Sequence, residues 1–235
     1  MKRCCSIILL ALVLHGCSGS DSFVEQRKQM VTKQIKWRGI TNQQVINAML
    51  TVPREEFVLP AYRSKAYQDI EVPIGGSQTL DRPYEDALIL DSMNINQHSK
   101  VLEVGTGSGY LAALISEIAQ KVYTIEIEAA PAAAAKKLLS KLGYKNVTVR
   151  HADGFIGWKE RAPFDSIVLT CSPDHVPAPL VEQLREGGRI ILPLGGEKKF
   201  QELLLYTKAN GELKLLRRLA PANFSPMKGK IKEDK

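Results

Sequence analysis

Residues 101–110 constrain the fold more than any other part of the chain. They read Val-Leu-Glu-Val-Gly-Thr-Gly-Ser-Gly-Tyr, so an apolar strand passes through a glycine-rich turn into a helix. Glycines let a backbone turn tightly and approach a ligand closely. The spacing G-x-G-x-G differs from the G-x-G-x-x-G of dinucleotide-binding folds. It therefore favours a cofactor without a pyrophosphate, the alternative being a tight turn that binds nothing.

Helices and apolar strands alternate after residue 84. The pattern predicts helices at 84–93, 110–119 and 130–142, with a short one beyond 180, and strands at 100–104, 121–125, 147–151, 166–170, 188–192, 202–207 and 213–219. Such alternation is typical of an α/β, doubly wound, mostly parallel sheet with helices on both faces. The last strands have no helices between them, which predicts an antiparallel edge.

The first part of the chain has a different pattern. Apolar residues recur at helical spacing over 21–50 and are interrupted at 38–40, which predicts two helices. Thr41 and Gln44 have the spacing of a capping box for the second helix, and Pro53 ends it. Residues 60–83 are rich in Pro and Gly with too little periodicity for regular structure, and long ordered loops in compact domains are usually functional.

Acidic residues follow two of the predicted strands. Glu126 ends the strand after the glycine turn, at about the distance where a carboxylate meets ribose hydroxyls in such folds. Asp153 follows the next strand and would accept a hydrogen bond from an adenine amino group. Taken singly, each is more often a solvated carboxylate or a helix cap. Together with the glycine turn they place three acceptor-bearing loops at the sheet edge where ligands bind.

Composition fits one globular domain of 235 residues with 44% hydrophobic residues. The net charge of +7 comes from scattered basic residues, and aromatic residues make up 6% of the chain. A nucleic-acid surface needs a basic stripe with interleaved aromatics, so no nucleic-acid partner is expected. No cluster of Cys and His has metal-ligand spacing, and we expect no metal. Residues 228–235 form a basic tail that we expect to be mobile.

The N-terminus resembles an export signal. Lys2 and Arg3 precede an apolar run at 7–14 that is too short to span a bilayer. The run leads into Val-Leu-His-Gly-Cys, which resembles the lipoprotein box and predicts a signal peptide over 1–17 with lipid on Cys17. The mature chain would then be anchored on the periplasmic side of the cell envelope, without an internal disulfide. A simple secretory signal, or a later start that leaves the protein cytoplasmic, is the alternative.

Several motifs are distinctive beyond the fold. They are residues 52–58, Pro73-Ile74-Gly75, Gln78-Thr79, 105–109, Asp153-Gly154, 162–165, Pro173, Gly187-Gly188 and 192–195. With these motifs the chain resembles the protein-L-isoaspartate O-methyltransferase family from about 24 to 228. The resemblance implies a methyl transfer from S-adenosylmethionine to the misplaced carboxylate of an isoaspartyl residue in a damaged protein. It also implies a monomer.

The resemblance also implies which residues form the site. Those that would hold the cofactor are Glu103, Gly105, Thr106, Gly107, Ser108, Gly109, Glu126, Asp153 and Gly154. Those that would contact the substrate are Ile74, Gly75, Gln78, Thr79, Phe224 and Pro226. The chain then divides into N-terminal helices with a substrate-covering loop at 18–83, a methyltransferase domain at 84–227, and the tail. The carboxylate acceptor is already ionised at neutral pH, so no catalytic base is expected.

Asp81 departs from the family pattern, which has serine at this catalytic position. An ionised Asp81 about 4 Å from a substrate carboxylate would be repelled by on the order of 4 kcal/mol at an effective dielectric of ~20. Three outcomes are open: Asp81 is protonated in the closed site, it turns away to cap the helix near Tyr84, or the acceptor is not isoaspartate. The cap is slightly favoured. A lipid-anchored binding protein with lost or altered catalysis, or a methyltransferase for small molecules, therefore remains a competing interpretation.

Overall fold

A computed structural model describes residues 19–76, 78–195 and 200–230. The helices are α1 Gly19–Met30, α2 Gln43–Thr51, α3 Pro83–Ser92, α4 Tyr110–Ser116, α5 Ala129–Lys141 and α6 Ala178–Gln183. The strands are β1 Val72–Gly75, β2 Gln78–Leu80, β3 Lys100–Val104, β4 Lys121–Glu126, β5 Val147–His151, β6 Phe164–Leu169, β7 Leu184–Leu194, β8 Gln201–Ala209 and β9 Glu212–Ala222. In these described ranges, no helix is both long and apolar enough to cross a membrane.

Seven strands form the main sheet in the order β5-β4-β3-β6-β7-β8-β9. Neighbours from β5 to β7 are parallel, whereas β8 and β9 are antiparallel to the strands beside them. The predicted α/β sheet with an antiparallel edge is confirmed. The chain crosses to opposite sides of β3 to form β4 and β6, and ligands of open α/β sheets bind at the carboxyl ends of strands beside such a switch point.

Both faces of the sheet are covered, so most residues of the central strands β3, β4 and β6 are buried. Val101 of β3 packs into an apolar cluster with residues of α2 and α4. Leu102, the next residue, packs into a second cluster on the other face with Phe164 and Leu180. This alternation is what strand geometry requires, and it leaves the strand ends as the place for polar residues.

The two N-terminal helices are confirmed, but their predicted cap is wrong. α1 continues as irregular helical turns to Arg38 and ends at Gly39, whose φ of +95° suits glycine. α2 begins at Gln43, and the side chain of Asn42 accepts a hydrogen bond from the backbone N–H of Gln44 at 3.0 Å. Asn42, a stronger N-cap residue than threonine, therefore does what was predicted for Thr41.

The Pro- and Gly-rich segment 60–83 contains more regular structure than predicted. β1 and β2 pair as an antiparallel hairpin with Val72 opposite Leu80, and a 3-10 helix spans Pro60–Lys65. Strands of four and three residues are too short to give an alternating pattern, which is why the prediction was wrong. The hairpin turns at Gly75 and Gly76, both of which have positive φ.

Candidate active site

A cavity of about 600 Å³ lies at the carboxyl ends of the central parallel strands. That volume suits a small-molecule ligand. The predicted site residues that line it are Asp81, Glu103, Gly105, Thr106, Gly107, Ser108, Glu126, Gly154, Ile74, Gln78, Thr79, Phe224 and Pro226. Gly75, Gly109 and Asp153 are the predicted site residues that lie outside the lining. The hairpin, the glycine turn, the loop after β4 and residues 223–228 thus share one cavity.

The glycine turn needs glycine at its first position. Gly105 has a φ of +103°, and a Cβ there would lie 2.2 Å from Oγ1 of Thr170. That hydroxyl donates a hydrogen bond to the Gly105 carbonyl at 2.6 Å. Gly109 has a different task, because a Cβ there would meet Leu139 of α5 at 3.0 Å. Gly109 allows close helix packing, whereas Gly105 and Gly107 form the wall of the cavity.

Glu126 joins the glycine turn to the loop after β4. Its Oε2 accepts from the backbone N–H of Gly107 and its Oε1 from that of Glu128, both at 3.0 Å. The residue is 3% exposed, so these bonds hold the carboxylate in one orientation. Each oxygen keeps a further lone pair, so Glu126 remains able to accept two hydroxyl protons as predicted.

Glu103 is fully buried at the end of β3. Thr124 donates to its Oε2 at 2.5 Å, while Oε1 has no partner within the described residues. Burial, together with the nearby carboxylates of Glu126 and Asp86, raises the Glu103 pKa to about 8. A cation in the cavity would favour its ionised form. Oγ of Ser108 is a second buried polar atom of this wall that has no partner in the described structure.

Asp153 lies just outside the cavity lining, next to Gly154, and its role at the cofactor stays a prediction. Its Oδ1 accepts from Phe155 N–H at 2.9 Å and caps a 3-10 turn, and its Oδ2 accepts from Lys230 N–H at 2.8 Å. As in Glu126, each oxygen keeps a further lone pair. Gly154 does line the cavity, and a Cβ on it would lie 2.3 Å from Val104.

The tail that we expected to be mobile from residue 228 is held at its start. Lys228 Nζ lies 2.5 Å from a Glu128 carboxylate oxygen, and Lys230 is bonded to Asp153. Upstream, Ser172 exchanges backbone hydrogen bonds with Ser225 and Met227 at 2.8 and 2.9 Å. These bonds build residues 223–228 into the cavity wall. Residues 231–235 lie outside the described part of the chain.

Asp81 lines the cavity and does not cap α3, so the favoured prediction for it is wrong. The N-cap residue of α3 is Arg82, and the Glu85 side chain accepts from the Arg82 backbone N–H at 3.2 Å. The helix therefore already has a carboxylate at its first turn. Burial and the neighbouring Asp86 raise the pKa of Asp81 well above its usual range, which favours the protonated alternative.

Sequence reasoning missed a buried ion pair beneath the substrate loop. Arg54 is fully buried and its Nη1 donates to Oδ2 of Asp86, a cavity-lining residue, at 2.7 Å. Its Nε donates to the Ala66 carbonyl at 2.8 Å, and its guanidinium lies 4.7 Å from the Tyr110 ring centre. The sequence contains little signal for this pair, since two glutamates follow Arg54 directly and its partner is 32 residues away.

Two other chemistries find little support at the cavity. Cys171 lines it, but burial raises its pKa to about 12, so the sulfur stays a thiol and is a poor nucleophile. Over residues 19–76, 78–195 and 200–230, no group of three His, Cys, Asp or Glu side chains is arranged to hold a metal ion. The polar groups of the wall instead suit a nucleoside with cationic substituents.

Residues 25–232 match the family model of protein-L-isoaspartate (D-aspartate) O-methyltransferase. The chain belongs to this family. It is 41% identical over 215 residues to protein-L-isoaspartate O-methyltransferase 2 of Shewanella sediminis, covering 92% of this chain and 88% of that one. A protein of the same name from an Anaeromyxobacter species is 42% identical over 233 residues, covering 93% and 95%.

Solved structures of the family have the same fold. A protein-L-isoaspartate O-methyltransferase superposes with a TM-score of 0.80 at 29% identity, covering 87% of this chain and 67% of that one. A Plasmodium falciparum protein assigned to the family, solved in complex with S-adenosyl-L-homocysteine, superposes with a TM-score of 0.72 at 24% identity. The coverage there is 88% of this chain and 98% of the other. The chain thus has the fold of a solved protein-L-isoaspartate O-methyltransferase.

Proposed function

We propose that this protein transfers a methyl group from S-adenosylmethionine to the carboxylate of L-isoaspartyl residues in damaged proteins. The observation that carries the proposal is the single cavity in which Glu103, Gly107 and Glu126 meet the hairpin residues Gln78 and Thr79. One end of this cavity has the donors and acceptors for a nucleoside, and the other is bordered by a substrate-side loop. Membership of the family supports the same reaction.

The residues present fit the cofactor. Oε1 of Glu103 and Oγ of Ser108 are buried and unpartnered in the described structure, and such groups call for a ligand or ordered water. Glu126 would hold the ribose hydroxyls, and the backbone of the turn at 105–107 permits close approach. When bound, S-adenosylmethionine supplies an electrophilic methyl group on a sulfonium. The acidic wall around Glu103 and Glu126 complements its positive charge.

The chain's own contribution is alignment and exclusion of water. The acceptor carboxylate is ionised at neutral pH, so no residue has to remove a proton. The hairpin and residues 223–228 both line the cavity, where they restrict the approach of the peptide. Holding reactants in a near-attack geometry supplies a large part of a barrier reduction, and a water-poor site keeps the nucleophile unsolvated.

The test is transfer of a labelled methyl group to a peptide with one isoaspartyl residue, with the matched aspartyl peptide as control. We expect base-labile label on the isoaspartyl peptide alone. The Glu126→Ala variant should lose most of this activity because it loses cofactor affinity. Binding of S-adenosylmethionine in a calorimeter without transfer to any isoaspartyl peptide would contradict the proposal and favour a binding protein that has lost catalysis.

We also propose that the chain is exported and lipid-anchored through Cys17, which lies outside the described residues. Support comes from the basic start and the short apolar run before this cysteine. Expression of the full chain with a labelled fatty acid, followed by membrane fractionation, should give label in wild type and none in Cys17→Ser. Unlabelled wild-type protein would contradict the proposal. An exported enzyme would need S-adenosylmethionine outside the cytoplasm, so the compartment decides whether the cofactor is available to it.

A further inference from the structure

We propose that Asp81, in its neutral acid form, binds the substrate by donating a hydrogen bond to one oxygen of the isoaspartyl carboxylate. The second oxygen of that carboxylate stays free to attack the methyl group. This inference rests on the proposed function. If the inference is correct, binding of the isoaspartyl peptide weakens as pH rises and Asp81 loses its proton.

The backbone around Asp81 is fixed, so its side chain has a defined place at the cavity. The residue follows β2 directly and precedes the first residue of α3 by two positions. Its backbone carbonyl accepts a hydrogen bond from Nη2 of the buried Arg54. The hairpin residues Gln78 and Thr79 line the same cavity. Asp81 therefore sits where the substrate-side loop meets the pocket.

Arg54 does not neutralise the Asp81 carboxylate. Nη1 of Arg54 is bonded to Asp86, Nε to the carbonyl of Ala66, and Nη2 to the Asp81 backbone rather than to its side chain. Asp86 is 1% exposed and takes up the guanidinium charge. Within the described residues no donor contacts the carboxyl group of Asp81. Asp81 is partly buried, so an ionised carboxylate there would depend on solvent for its hydrogen bonds.

The charged groups around Asp81 are mostly of its own sign. Besides burial, the carboxylates of Asp86, Glu85 and Glu71 raise the pKa of Asp81, whereas the positive charge of Arg54 lowers it. Burial and these carboxylates raise the Asp81 pKa well above its ordinary value. A neutral carboxylic acid is a hydrogen-bond donor. The carboxylate of the substrate can accept a hydrogen bond from this acid. Without that bond, the carboxylates of the cavity wall would repel the substrate carboxylate.

Three variants at one position separate this role from a structural one. Asp81→Asn has nearly the same shape and donates at every pH, Asp81→Ser donates with a shorter reach, and Asp81→Ala cannot donate. KM and kcat for the isoaspartyl peptide are measured at saturating S-adenosylmethionine between pH 6 and 9. Circular dichroism and calorimetric cofactor binding show that each variant is folded.

At pH 6 we expect the KM of Asp81→Ala to exceed the wild-type KM at least tenfold, with a much smaller change in kcat. Above the point where Asp81 ionises, the wild-type KM should rise up to tenfold per pH unit. The KM of Asp81→Asn should stay level, so that this variant binds the peptide better than wild type at high pH. A wild-type KM that stays level to pH 9 would contradict the pH dependence that we infer for Asp81.

Two other results would overturn the inference. One is an equal KM for wild type and Asp81→Ala at pH 6. The other is a rise of KM with pH that Asp81→Asn shares, since the titrating group would then be elsewhere. Absence of transfer in every variant at every pH, with cofactor still bound, is a distinct outcome because it refutes the proposed function itself and this inference with it.

Discussion

The Arg54–Asp86 pair gives the sharpest prediction about stability. Replacing Arg54 by methionine keeps much of the side-chain length but removes the charge and three donated bonds, to Asp86, Ala66 and Asp81. The side chains of Arg54 and Asp86 are 0% and 2% exposed. Removing one partner of a buried pair costs about 3–5 kcal/mol because the other charge is left uncompensated. For Arg54→Met at pH 7 we expect the free energy of unfolding to fall by about 3 kcal/mol, the lower end of this range.

The reason for the lower end is protonation. Burial already raises the pKa of Asp86 to about 6 with Arg54 beside it. Without the guanidinium that pKa rises further, so Asp86 takes up a proton at pH 7 and avoids part of the cost. The same experiment at pH 9 should therefore show a larger destabilisation. This pH dependence distinguishes loss of the ion pair from simple loss of packing.

The assay is urea unfolding of wild type, Arg54→Met, Asp86→Leu and the double variant. Because the double variant contains no unpaired buried charge, it should be at least ~2 kcal/mol more stable than the sum of the single losses implies. Equal slopes of free energy against urea would show that the same surface is exposed in each case. Losses that add to within ~0.5 kcal/mol would refute the reasoning.

Three further predictions concern the cofactor wall. The folded-state pKa of Glu103, about 8, exceeds the ordinary 4.5. Burial of Glu103 therefore costs no folding stability below pH 4.5 and an increasing amount up to pH 8. Glu103→Gln should remove roughly 3 kcal/mol of the stability lost between pH 5 and 8 without cofactor, and parallel pH profiles of the two proteins would contradict this. Gly105→Ala, whose new methyl would lie 2.2 Å from Thr170 Oγ1, should cost ~2–4 kcal/mol by thermal or urea unfolding, and an unchanged Tm would contradict the steric argument. Glu126→Gln should weaken S-adenosylmethionine binding roughly 10- to 100-fold in a calorimeter, whereas an unchanged Kd would exclude Glu126 from the site.

Local patterns were enough to predict the sheet and the part of the cavity wall formed by the glycine turn and Glu126. The strand, glycine turn and helix at 101–110 are encoded within ten residues, and Glu126 follows from its place at the end of the next parallel strand. Parallel strands bring their carboxyl ends to one edge. Gly107 and Glu126 meet there because their positions depend on strand order, whereas Glu103 was implied only by the resemblance to the family.

The features that spacing did not predict depend on contacts that the sequence pattern does not show. Both oxygens of Asp153 are taken by backbone N–H groups, one of them 77 residues further along the chain. Asp81 was expected to cap α3, but the N-cap residue is Arg82, and the Glu85 side chain accepts from the Arg82 backbone N–H. Arg54 was read only as part of a family motif because its partner Asp86 is 32 residues away. The role of a polar side chain depends on its hydrogen-bond partners in the folded chain, and sequence spacing alone does not identify them.

The position of residues 223–228 in the cavity wall has a consequence for synthesis. The glycine turn leaves the ribosome more than a hundred residues before this segment, and β7, β8 and β9 have to be laid down in between. A nascent chain can therefore assemble the parallel half of the sheet while its pocket still lacks a side. A chain that ends before Asn223 would lack the part of the cavity wall that we assign to the substrate side.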